Sequence, residues 1–362
     1  MPEKRTKKAF YSAAAVLAAC VLLFPEPNSA CTTFVINAND EIVFGRNLDW
    51  KTSLGLVIVN KRGIKKTSVV DPPETPVTWV SRYGSVTFNQ VGKEFPYGGI
   101  NEAGLVVEQM MLPQTEYPSV DERPVTCDVQ WIQFQLDNFG TVGEVIESDA
   151  AVRIGRDSTK LHFLVADRDG GVAVVEFLRR KMEVHTGGEL PVSVLTNSTY
   201  DDCLIHMKRH NGVPDEMPGF SDYRFAVAAR MIDDYEKKAA KPAADYAFDV
   251  LEAVGQESTR WSIVYDIKNL VVYFKTDEHP KVKVINVTAF DFDCRIPGKM
   301  INMAVADAGV IDGKFVDYDP LINFGIVSES FEIFRRDGFL PRVTDADIKE
   351  YTDFVNAYPC AD

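Results

Sequence analysis

Histidine is scarce in this chain, five residues in 362, and none stands in a pattern that catalysis would need. There is no G-x-S-x-G elbow, phosphate-cradling glycine loop, H-E-x-x-H or C-x-x-C, so no motif points to a serine hydrolase, nucleotide binder, zincin or dithiol redox protein. Positive charge is also short. Lys and Arg total 39 against 53 Asp and Glu, a net charge of −14, which leaves no electrostatic footprint for nucleic acid and repels an anionic membrane surface. Beyond residue 30 no apolar run is long enough to span a bilayer. The nearest approach to a metal pattern is Cys203-x-x-His206-x-x-x-His210 on a predicted helix. Lys208 and Arg209 among those residues make it a solvated face, and no metal or cofactor is expected.

What the chain does have is an address. Lys4, Arg5, Lys7 and Lys8 precede an apolar run from Ala13 to Phe24, then Pro25 and a short polar segment ending in Ser29-Ala30. This is the layout of a secretory signal, with residues 1–30 removed and residues 31–362 left as one domain, periplasmic or secreted. A second route is open at Leu17-Ala18-Ala19-Cys20, which has the form of a lipoprotein box. The apolar run continues through Val21–Phe24 past that cysteine, and this favours cleavage before Cys31.

Cleavage there gives a terminus that carries both a thiol and a free α-amine. A thiol titrates at about 8.5 and an α-amine at about 7.7–8.0, so the amine can take the thiol proton without a histidine. Thr32 to Ile36 reads as a strand, and a hairpin through Asn37-Ala38-Asn39-Asp40 returns Ile42 to Arg46 alongside it. Arg46 and Asp49 then lie beside the cysteine, a cation that favours thiolate and a carboxylate that orients the α-ammonium. The competing reading is an ordinary half-cystine. Cys127, Cys203, Cys294 and Cys360 can pair as two disulfides in three connectivities, leaving Cys31 odd, or all can be free. Acyl transfer also needs an oxyanion donor, and Asn197, where a strand stops, suits that role as well as that of a turn residue.

Along the chain, short strands are predicted at Leu56–Val59, Val77–Ser81, Ser85–Asn89 and Leu105–Met111, and helices at Val129–Phe139 and Val142–Ser148. Strands follow at Leu161–Ala166, Val172–Phe177, Met182–His185 and Val192–Leu195. Helices are predicted at Tyr200–His210, Ser221–Lys237 and Ala243–Val254, and strands at Trp261–Asp266, Leu270–Lys275 and Val282–Asn286. From Phe290 onward the pattern is one of mixed loops and short elements, with Asp345–Asn356 a helix. Asn101, in the turn before Leu105, reads as structural. Strand runs joined by hairpins, with helices in groups, predict an α+β fold of antiparallel sheets with helices on their outer faces.

Cys31 at a processed terminus, Gly45-Arg46-Asn47-Leu48-Asp49-Trp50, Ile100-Asn101-Glu102-Ala103-Gly104-Leu105, Leu195-Thr196-Asn197-Ser198 and Thr259-Arg260-Trp261-Ser262-Ile263-Val264-Tyr265-Asp266 occur in that order. Together they resemble the choloylglycine hydrolase family of linear amide C–N hydrolases, which includes bile salt hydrolases and penicillin V acylases. The resemblance implies the N-terminal nucleophile hydrolase fold, an αββα sandwich of two antiparallel sheets between helical layers. It implies Cys31 as nucleophile with its own α-amine as base, Arg46 and Asp49 flanking it, Asn197 as oxyanion donor and Arg260 as a second cation near the thiolate. It also implies a small-molecule N-acyl amide substrate (penicillin V, a conjugated bile salt or an N-acyl homoserine lactone) and a homo-oligomer, a tetramer in many members. Bile salt hydrolases usually carry an asparagine where this chain has Met110-Met111-Leu112, which leans toward an apolar acyl pocket. Trp50 and Met111 are candidates for its wall, packing in the core being the alternative reading. The rival expectations are an acyltransferase of similar fold and a non-catalytic binding lipoprotein lipidated at Cys20.

Overall fold

The computed structural model describes residues 31–362 apart from 71, 157, 210–218, 239, 340–342 and 362. The expected signal segment and the Cys20 box lie outside the described residues. So does His210 of the Cys203 pattern; His206 in the same pattern pairs with Asp222 at 2.9 Å.

Two antiparallel sheets face each other. The first runs, in spatial order, Val194–Leu195, Thr32–Ala38, Glu41–Asp49, Thr259–Asp266, Val271–Thr276, Lys283–Asn286 and Gly309–Val310, the last joining in parallel. The second runs Lys181–Thr186, Val172–Leu178, Leu161–Ala166, Val106–Met111, Gly98–Asn101, Ser85–Asn89, Leu56–Asn60, Lys299–Asn302 and Val316–Asp317. Most of these strands are buried along their whole length rather than alternating, because each sheet is covered on its outer side too.

Seven described helices supply that cover: α1 (Asp128–Asn138), α2 (Val142–Glu147), α3 (Tyr200–Arg209), α4 (Ser221–Lys237), α5 (Ala243–Ala253), α6 (Pro320–Arg336) and α7 (Asp345–Asn356). Helices α4 and α5 lie on the first sheet, against the Thr32–Ala38 and Glu41–Asp49 hairpin, and α1 lies on the second, against Val106–Met111. The layering is helix, sheet, sheet, helix, as the sequence predicts. Between the sheets Phe88 meets Tyr265 and Phe274 edge-on, with ring centroids 6.1 and 5.6 Å apart. Gly45 admits the Phe34 ring so closely that a Cβ there would fall 2.3 Å from it.

Asn101 is structural. Its Nδ2 donates to the carbonyls of Leu136 and Phe139 (2.8 and 2.7 Å), and its Oδ1 accepts from the N–H groups of Ala103 and Leu105. Helix α6 is a correction to the expectation of short elements after Phe290. Asp319 caps it by accepting from the Leu321 N–H (2.8 Å), and Pro320 opens it. One disulfide, Cys294–Cys360, is formed; Cys31, Cys127 and Cys203 are free and buried.

Candidate active site

Pairing of Thr32 with Asn47 and Thr33 with Arg46 brings Cys31 level with Leu48 and Asp49, so the hairpin register alone sets the two strand ends side by side. Cys31 is buried. The backbone N–H of Asp49 donates to its sulfur. Burial pushes the thiol up from its ordinary range and Asp49 adds to this, while the Arg46 and Arg224 guanidinium groups and the Asp49 N–H pull it back; the net shift is upward. An upward shift favours the thiol over the thiolate, so a base that takes the proton would assist attack.

Arg46 crosses from the first sheet to the second. Its Nη1 donates to the Tyr97 carbonyl (3.1 Å) and pairs with Glu108, which also accepts from the Tyr265 hydroxyl. Gly98 makes room for this pair, since a Cβ there would sit 2.0 Å from the Glu108 carboxyl. Asp49 is wholly buried. Its Oδ1 accepts from the Thr259 hydroxyl, while its Oδ2 is buried with no partner among the described residues. Burial pushes this carboxyl up to about 6 against the pull of Thr259, Arg224 and Arg46.

Asn197 follows the edge strand Val194–Leu195. Its backbone N–H donates to the Ser221 hydroxyl at 2.8 Å, and its Nδ2 donates to the Met111 carbonyl at 2.8 Å. One turn into α4, Arg224 spans the gap back to the nucleophile's strand. It donates to the Cys31 carbonyl (2.5 Å), the Thr32 hydroxyl (2.6 Å) and the Asn197 Oδ1 (3.3 Å). With Oδ1 and one N–H engaged, the Asn197 amide keeps one N–H for another acceptor. Behind it His162 contacts the Thr196 carbonyl at 2.7 Å through Nε2 and Glu176 at 3.0 Å through Nδ1. Although burial opposes it, hydrogen bonds from His162 and His185 hold the Glu176 carboxyl down to about 2.

The structure thus brings Cys31, Arg46, Asp49 and Asn197 together, and it corrects one expectation. The second cation beside Cys31 is Arg224, not Arg260. Arg260 is itself the residue at a register shift in its strand, between Thr259 and Trp261, and its guanidinium turns to Asp277 (2.6 Å) and to the Trp50 carbonyl (3.1 Å). Arg224 went unread because an arginine near the start of an amphipathic helix looks like surface. The signal was its setting, beside Phe225 and Ala226 on a face that the Phe225, Ala228, Ala229, Ile232 spacing buries.

An apolar pocket opens from Cys31 and Asp49. Trp50 and Met111 line it while also packing against the core, together with Tyr97, Leu161, Phe331, Phe334, Phe339 and Tyr351. Gln109 also lines it, and the Trp50 Nε1 and Gln109 Oε1 atoms are buried without a partner among the described residues.

Residues 31–223 match the family model of linear amide C–N hydrolases, choloylglycine hydrolase family. The chain belongs to the choloylglycine hydrolase family. It is accordingly an enzyme of the class that hydrolyses linear amide C–N bonds. Penicillin V acylase of Pectobacterium atrosepticum is 25% identical over 314 residues, 73% of this chain and 82% of that one. Bile salt hydrolase/transferase of Clostridium perfringens is 26% identical over 208 residues, 51% of this chain and 60% of that one. Among solved structures, penicillin V acylase from Agrobacterium tumefaciens superposes with a TM-score of 0.70 at 27% identity, covering 80% of this chain and 98% of the other. A mutant of conjugated bile acid hydrolase from Clostridium perfringens superposes at 0.62 with 18% identity, covering 77% and 98%, and shares the αββα fold of the choloylglycine hydrolases.

Proposed function

We propose that this protein is an exported amidohydrolase in which Cys31, freed as the N-terminal residue, cleaves the amide of an N-acyl substrate with an apolar acyl group. The observation that carries this reading is the unpartnered Oδ2 of buried Asp49 beside Cys31. A buried carboxylate oxygen left open costs free energy, and the α-ammonium of a chain beginning at Cys31 would satisfy it.

The α-amine takes the thiol proton, and the thiolate attacks the substrate carbonyl carbon. The free N–H of Asn197 donates to the oxyanion as charge develops there, while Arg46 and Arg224 offset the sulfur's negative charge. The C–N bond breaks as the α-ammonium returns the proton to the leaving amine. Water, deprotonated by the same α-amine, then attacks the thioester carbon, releasing the acid and restoring the thiol. The Cys294–Cys360 disulfide supports an oxidising compartment. The apolar wall at Trp50 and Met111 supports acyl amides such as penicillin V, N-acyl homoserine lactones or conjugated bile salts. A thioester of this kind can also pass to an amine. The name hydrolase/transferase borne by the Clostridium perfringens relative makes acyl transfer the second reading, detectable by adding glycine or taurine to the assay.

The test is the N-terminal sequence and intact mass of protein purified from an exporting host, followed by assay on those amides. The expected result is a terminus at Cys31, one rapidly alkylated thiol, a thioester adduct trapped on rapid acid quench, and loss of amidase activity in Cys31→Ser with the fold retained. A chain that begins at an acylated Cys20, or full activity in Cys31→Ser, would sink the proposal.

A further inference from the structure

The pocket is walled on one side by sheet residues such as Gln109 and Leu161 and on another by aromatic residues from later elements. Phe331 and Phe334 stand on α6, Tyr351 on α7, and Phe339 follows α6. These elements lie beyond residue 223, where the family match stops.

The segment is fastened down rather than laid on. Asn323 of α6 accepts from the Lys93 N–H at 3.1 Å, and the Tyr351 hydroxyl of α7 donates to the Val91 carbonyl at 2.5 Å. At its end Pro359 accepts from the Lys65 N–H at 2.9 Å, and Cys360 is bonded to Cys294. Held this way, Phe334 and Phe339 meet the Trp50 ring edge-on, at centroid separations of 5.8 and 5.3 Å. Trp50 adjoins Asp49, so this aromatic contact lies next to the reacting centre.

We propose that α6, Phe339 and α7 roof the acyl pocket and set its selectivity. The roof narrows the pocket to a slot for slender acyl groups, such as phenoxyacetyl or an unbranched alkanoyl chain, and excludes the rigid fused rings of a cholyl group. Aromatic rings in mutual contact leave room for a guest that slides between or beside them, not for one that must displace several at once. Trp50 and Gln109 line the same slot, and each has a buried side-chain polar atom without a partner among the described residues, a need that a guest bearing one polar atom near its carbonyl is suited to meet. This inference rests on the amidohydrolase reading.

Its test compares Phe339→Ala and Phe334→Leu with the wild type on penicillin V, N-hexanoyl homoserine lactone and glycocholate. The half-buried Phe339 is the position least costly to truncate. The wild type should cleave the two slender amides and leave glycocholate nearly untouched, and in each variant the kcat/KM ratio of penicillin V to glycocholate should fall at least tenfold. A ratio unchanged within twofold in both variants overturns the roof. If the wild type cleaves no acyl amide, the functional reading fails instead, and binding decides the roof. In a Cys31→Ser background, Phe339→Ala should gain at least tenfold in calorimetric affinity for cholate relative to phenoxyacetate, and equal relative affinities would refute it.

Discussion

Two buried aspartates, Asp49 and Asp137, are both pushed upward in pKa by burial, yet their surroundings differ in kind. Asp137 is closed. Its Oδ2 accepts from the Trp79 indole at 2.7 Å and faces the Lys66 ammonium at 2.8 Å, its Oδ1 accepts from Gln133 at 2.8 Å, and Lys66 also pairs with Glu94 at 2.7 Å. Asp49 has a hydroxyl on one oxygen and nothing on the other among the described residues. Burial alone therefore does not mark a functional carboxylate; what distinguishes Asp49 is an opening that the rest of the fold does not fill. The Lys66 cluster joins α1 to a separate two-stranded sheet, Lys65–Thr67 with Thr78–Val80, whereas the Asp49 cluster faces the pocket and Cys31.

The largest effect is expected from removing the cation of the closed cluster. Lys66→Met leaves Glu94 and Asp137 buried without their countercharge, a loss of about 3–5 kcal/mol by the usual cost of splitting a buried pair. Urea unfolding should register this, while kcat/KM per folded molecule stays within about twofold of wild type. Unchanged stability would mean that water or a neighbour closes the cluster without Lys66.

The open cluster should respond the other way round. Asn197→Ala removes the proposed oxyanion donor and should lower kcat by ~10²–10³, about 2.7–4 kcal/mol of barrier. It should move the unfolding midpoint far less than Lys66→Met, since Asn197 is neutral and half-buried and its loss leaves no buried charge without a countercharge. A variant that keeps its rate but unfolds early would reassign Asn197 to structure.

How much of this was legible beforehand follows from what short-range pattern can carry. The hairpin from Thr32 to Asp49 could be read because β-branched alternation and a turn fix its register locally, and register then fixes who neighbours Cys31. Asn197 was legible as the end of a strand. Arg224 was not, because its role depends on α4 packing across the Cys31 strand, a contact between residues 193 apart in sequence. The outer pocket wall was missed although Asp319, Pro320 and the Gly338 with φ of 76° bracket α6 in the ordinary manner of a capped helix. Even with α6 recognised, nothing local says that its Phe334 comes to rest on Trp50, 284 positions back.

The smallest predicted effect tests whether the opening at Asp49 is filled by processing. In a chain that keeps residues before Cys31, the Asp49 carboxyl titrates at about 6 when folded against an ordinary 3.8. Between those values the folded protein holds more protons than the unfolded chain. Stability from this group is thus full below about pH 4, declines as pH rises to about 6, and is level above that, a loss of at most about 3 kcal/mol at ~1.4 kcal/mol per unit. In a chain that starts at Cys31, an α-ammonium at Oδ2 would favour the carboxylate, pull its pKa back down and cancel most of that loss. Asp137 contributes equally to both forms, so the difference between their urea midpoints across pH 4–7 isolates Asp49. The processed form should gain on the extended form as pH rises through that window, and Asp49→Asn should abolish the gain. Parallel curves for the two forms would mean that the terminal amine does not reach Asp49, and with it the proposed base would lose its anchor.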